Sequence, residues 1–76
     1  MKPTRPAPNG VPHLSARQTE IARLIAEDQT AKQIGDVLGI SPKTVEFHRN
    51  LIKHRLGVAG TAGIVRYAIR LGLVQP

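Results

Sequence analysis

From Leu14 onward the apolar positions of this chain recur at spacings of three and four, the mark of helices with one buried face. Ile21, Leu24 and Ile25 define the first such stretch. Ser15 and Gln18, three apart, form a capping box in which each side chain satisfies a free backbone N–H at a helix start. Leu14 stands where a hydrophobic staple would sit, and Asp28-Gln29 interrupts the pattern, so the first helix is expected at about 16–27. Thr30 and Gln33 repeat the capping box and open a second helix at 31–38. Ile34, Val37 and Leu38 are expected to face inward, with Gly39 supplying a left-handed C-cap. Gly35 is a local weakness of about 1 kcal/mol relative to Ala, which close approach of the next helix would justify. Ser41 then caps a third helix at 42–56, and Pro42 takes the first helical position, where its missing N–H does no harm. Thr61 is expected to cap a fourth helix at about 62–71, closed by Gly72, with Leu73 and Val74 as a final apolar clamp. Residues 39–41 alone separate the second and third helices, so the two must cross steeply. The reading is an all-α four-helix bundle containing a helix-turn-helix.

The third helix divides into two faces. At 3.6 residues per turn Val45, Ile52 and Leu56 share a seam, with His48 and Arg49 near its edges. The opposite stripe holds Lys43, Glu46, Phe47, Asn50 and Lys53 or His54. Its groups suit base edges in a major groove: Asn50 for adenine, Glu46 for the N4 amine of cytosine, Phe47 for a thymine methyl, with Lys43 beside them. Phosphate anchors are found nearby. The free N–H groups around Lys43 and Thr44, and those at Thr30 with Lys32 alongside, face the right way for an anion. Arg49 and Lys53 are placed to reach the flanking backbone. Plainer readings stand beside these. Glu46 can pair with Arg49 or Asn50 along the helix, Phe47 can fill a dimer contact or pack on the tail, and Lys53 and His54 can be solvated decoration. His48 reads better as a packed structural histidine than as a catalyst or ligand.

Composition narrows the partner. Eleven Lys and Arg against five Asp and Glu give +6, which favours a polyanion. All the acids lie between Glu20 and Glu46, whereas Arg49, Lys53, Arg55, Arg66 and Arg70 follow without one. Phe47 and Tyr67 are the only aromatics, too few for single-strand binding by base stacking. Without cysteine there is neither a disulfide framework nor a thiolate metal site, and the core must come from helix packing. His13, His48 and His54 lack metal-ligand spacing, no nucleophile sits beside a base by motif, and no nucleotide loop is present. An enzyme, a metal and a cofactor are therefore not expected.

Residues 1–13 contain Pro3, Pro6, Pro8, Pro12 and Asn9-Gly10 and read as a flexible tail or linker, leaving 14–76 as the folded domain. The start lacks the apolar stretch of a signal peptide, and no apolar run approaches the roughly 20 residues that cross a bilayer. A cytoplasmic location without membrane contact is the expectation.

Several residues together match a known pattern. Leu14-Ser15-x-Arg17, Leu24-Ile25-Ala26, Lys32-x-Ile34, Leu38-Gly39-Ile40-Ser41, Thr44-Val45-Glu46-x-His48-Arg49, Leu56-Gly57-Val58 and Gly72-Leu73 resemble the LuxR-type (GerE-like) helix-turn-helix domain. The Thr-Val-Glu-x-His-Arg form is especially similar to the response regulators of that family. The resemblance implies sequence-specific binding of double-stranded DNA by a bacterial transcriptional regulator, with the third helix in the major groove. It places Lys43, Thr44, Glu46, Phe47, Arg49, Asn50 and Lys53 toward DNA and makes Thr30 and Lys32 backbone contacts. It also implies a homodimer on DNA, weak or monomeric when free, paired through the fourth helix. There Ile64, Val65, Ala68 and Ile69 offer more apolar surface than one face needs. RNA polymerase is a further candidate partner. Many members carry Lys where this chain has Glu46, so base preference does not transfer, and Gly63 is an unexpected weakness in the fourth helix.

Two other functions fit some of these features. A stand-alone interaction module would heterodimerise with a full-length regulator and tune it, but an intact basic reading face is then unneeded. A sigma-factor-like promoter-binding tail shares the helix-turn-helix but ends soon after its recognition helix, where this chain continues.

Overall fold

A computed structural model describes residues 14–75; the proline-rich stretch read as a tail or linker lies outside them. The chain forms α1 (Ala16–Ala26), α2 (Ala31–Leu38), α3 (Pro42–Leu56) and α4 (Thr61–Arg70), as the apolar periodicity requires. The fold is all-α, with boundaries within a residue of those expected.

Local chemistry explains the starts and stops. Both capping boxes are complete: the Gln18 N–H donates to Ser15 Oγ and the Ser15 N–H to Gln18 Oε1, each at 3.1 Å. The Thr30 N–H donates to Gln33 Oε1 at 2.8 Å and the Gln33 N–H to Thr30 Oγ1 at 3.1 Å. Asp28 ends α1 in a left-handed conformation (φ 68°), a role glycine usually fills, and the Gln29 N–H closes the end onto the Leu24 carbonyl at 3.1 Å. Gly39 and Gly57 close α2 and α3 in the same conformation. Thr61 does not cap α4, contrary to expectation. Gly60 holds the cap position with no side chain to accept from the first-turn N–H groups, and the Thr61 hydroxyl is engaged elsewhere.

The core is aliphatic. Ile21, Ala22, Leu24 and Ile25 of α1 meet Ile34 of α2, Val45 and Ile52 of α3 and Ile64 of α4, with Leu14 sealing one end. α1 packs on all three other helices, α2 lies against α1 and α3, and α4 lies against α1 and α3. Gln18 and Thr19 are the buried polar residues of α1, and both are satisfied, Thr19 by donating its hydroxyl to the Ser15 carbonyl at 2.9 Å.

Three expectations change here. Val37 does not face inward and is 63% exposed. The buried stripe of α2 runs through Ala31, Ile34, Gly35 and Leu38, and Val37 lies about a third of a turn off its centre. Gly35 admits the backbone of the turn more than the next helix: a Cβ there would stand 2.5 Å from the Ile40 carbonyl oxygen. Ile64 and Ala68, expected among the pairing residues of α4, are fully buried at 0% and 1% exposure. They complete the core against α1, so they cannot form an outer face.

Candidate nucleic-acid interface

α3 is pinned by Val45 and Ile52, 1% and 0% exposed, which leaves its opposite face turned to solvent. Ser41 Oγ accepts the Thr44 N–H at 3.1 Å and shares a hydrogen bond with the Thr44 hydroxyl at 3.0 Å, fixing the N-terminal turn. Lys43, Glu46, Phe47, Asn50 and His54 are all exposed along one side. Phe47 stands out, 60% exposed although aromatic, with its ring edge-on to His48 at a centroid distance of 5.9 Å. Phe47 lies outside the apolar core. His48 is half-buried as expected of a packed residue, yet its Nδ1 is buried without a hydrogen-bond partner among the described residues.

The candidate phosphate contacts separate into groups. Thr44 and Lys43 are exposed at the N-terminus of α3, and Thr30 and Lys32 at that of α2. Lys32 has an exposed partner in Asp36 at 3.6 Å, a pair that solvent weakens. Lys53 is half-buried at the flank of α3 and not on the outward stripe, where His54 takes the alternative place. Arg49 has two partners within the chain: its Nε donates to Glu46 Oε1 at 2.9 Å and its Nη1 to Thr61 Oγ1. Glu46 therefore has Arg49, and not Asn50, as its helical partner. Thr30, Glu46, Arg49 and Thr61 line one cleft of about 220 Å³ between the α1–α2 turn and the starts of α3 and α4.

The ion pairs shape the field. Arg17–Glu20, Arg23–Glu27, Lys32–Asp36 and Arg49–Glu46 neutralise one another locally. Among the described residues, the cations outside such pairs are Lys43, Lys53 and Arg55 on α3 and Arg66 and Arg70 on α4. Positive potential is thus concentrated on the last two helices, which suits a phosphate backbone. Arg55, Arg66 and Arg70 were legible for this role, since no acid follows Glu46. Thr61 was not, because its link to Arg49 spans 12 residues and two helices.

Two packed helices joined by a three-residue turn, a first helix packed against both, and an exposed, basic second helix of the pair define a helix-turn-helix DNA-binding domain. The chain belongs to the luxR family of bacterial regulatory proteins, whose model matches residues 12–68. It is 40% identical over 62 residues to the transcriptional regulatory protein MctR of Rhizobium johnstonii, covering 82% of this chain and 29% of that one. It is 40% identical over 60 residues to the uncharacterized response regulatory protein YgeK of Escherichia coli (79% and 41% covered). The oxygen regulatory protein NreC of Staphylococcus aureus shares 39% over 62 residues (82% and 29% covered). The chain thus spans less than half the length of these relatives. No solved structure matches it. The family is one of regulators and not of enzymes. No helix among the described residues is long and apolar enough to cross a membrane.

Proposed function

We propose that this domain binds double-stranded DNA sequence-specifically in a transcription regulator of the response-regulator type, with α3 in the major groove. The observation that carries this reading is the outward stripe of α3. Lys43, Phe47 and Asn50, with Glu46 at its edge, are exposed on a helix whose other face is locked into the core. An aromatic ring amid polar groups is costly in water and suited to a groove that offers thymine methyl groups. Lys43 and Thr44 at the start of α3, Thr30 and Lys32 at the start of α2, and Lys53 at the flank are the proposed phosphate anchors. The helix N-termini add their free N–H groups.

A second copy pairs through the remaining apolar face of α4. With Ile64 and Ala68 buried, that face reduces to the half-buried Val65 and Ile69. So small a patch favours association on adjacent half-sites over a stable dimer in solution.

Selection of bound sites from random duplexes, followed by titration across a salt series, tests the reading. The selected sites should contain paired half-sites, and log affinity should fall linearly with log salt with a slope near −0.9 per phosphate contacted. Recovery of unenriched sequence, or affinity that ignores salt, would sink it.

A further inference from the structure

Arg49 joins two elements that the sequence keeps apart. From α3 it donates through Nε to Glu46 Oε1 at 2.9 Å, and through Nη1 to Thr61 Oγ1 on the first turn of α4. The Thr61 hydroxyl is available because Gly60, not Thr61, occupies the cap position of α4. The Arg49 side chain is 32% exposed and that of Glu46 49%, so the pair lies at the edge of the solvent-facing stripe and not beyond it.

Two physical consequences follow. A carboxylate beside a DNA backbone is repelled unless a nearby cation compensates it, and Arg49 does so at hydrogen-bond distance. An exposed ion pair along one helix is usually loose, because both side chains can rotate away. Arg49 has a second partner on another helix, and its planar fork fixes both donor directions at once. Glu46 is thereby held in one orientation at the margin of the groove-facing surface.

Resting on the DNA-binding reading, we propose that Arg49, anchored by Thr61, is the positioning residue for Glu46 and sets the base that Glu46 selects. The base class follows from the acceptor: a carboxylate held in this way takes the N4 amine of cytosine. Thr61, which needs no contact with DNA, thus becomes a determinant of sequence preference.

The test compares the full chain with its Glu46→Gln, Thr61→Val and Thr61→Ser variants on duplexes that differ by single base pairs from the selected site. Thr61→Val keeps the side-chain shape and removes the acceptor. Its fold is checked by thermal melting. Glu46→Gln should lower discrimination at one base pair by about tenfold. Thr61→Val should lower discrimination at that same pair by about threefold or more and leave the others unchanged. Thr61→Ser should restore it, and Thr61→Val should add nothing in a Glu46→Gln background. Wild-type discrimination in Thr61→Val, an equal loss on every sequence, or an undiminished effect in the Glu46→Gln background would overturn the inference while DNA binding stood. A wild-type chain that selects no site would overturn the DNA-binding reading and this inference with it.

Discussion

Gly63 in the first turn of α4 lies so close to Val58 that a Cβ on it would stand 2.6 Å from the Val58 Cβ. Helix propensity alone would have Gly63→Ala gain about 1 kcal/mol. The contact reverses the sign. Urea unfolding should show the variant less stable by about 1–3 kcal/mol, the usual cost of overpacking. Val58→Ala should not rescue it, because the closest approach is to the β-carbon that alanine retains.

Gly35 faces a harder obstacle. Its added Cβ would meet the Ile40 carbonyl oxygen at 2.5 Å and the Pro42 nitrogen at 3.4 Å, both backbone atoms of the turn between α2 and α3. Backbone yields less readily than a side chain, so Gly35→Ala should cost more than Gly63→Ala, at least about 2 kcal/mol. The turn sets the angle at which α3 leaves α2, so DNA affinity should fall even at temperatures where the variant remains folded. Calorimetry and a binding titration on the same samples check both parts.

Phe47 and Asn50 should separate binding from folding. Both are exposed, and neither contributes to the core. Phe47→Ala and Asn50→Ala should leave the melting temperature within a few degrees of wild type. Each should weaken binding to the preferred site by about 1–3 kcal/mol and relax preference at one base position. A loss spread evenly over all sequences would instead mark that side chain as a backbone contact.

α4 offers the same separation for pairing. Ile64→Ala opens a cavity at a fully buried site and should cost about 2–5 kcal/mol of stability. Ile69→Asp changes a half-buried residue of the outer face and should leave unfolding little altered. Its effect should appear in the binding isotherm on a two-half-site duplex, as lost cooperativity, with single half-site affinity preserved.

The starts and stops of the helices were readable because the forces that set them act within four residues. Ser15 with Gln18, Thr30 with Gln33, and Ser41 ahead of Pro42 each satisfy backbone groups of their own first turn. The outward stripe of α3 was readable for a related reason. The seam of Val45, Ile52 and Leu56 lies opposite a stripe that is polar apart from Phe47, so the helix has one face suited to burial.

Where a helix is apolar on several faces, its own pattern is silent about which one faces inward. α1 chose Ile64 and Ala68 from among the apolar residues of α4, leaving Val65 and Ile69 at the surface, and Val37 fell outside the stripe that α2 presents to its neighbours. Spacing along a helix offered Glu46 both Arg49 and Asn50 as partners, and gave no sign of Thr61. The residues themselves determined four helices, three of them opened by a side-chain cap, and the exposed stripe of α3. Tertiary packing alone decided which apolar positions remain exposed, why two glycines are needed, and that Arg49 turns toward Thr61, since each depends on contacts between elements that no local spacing encodes.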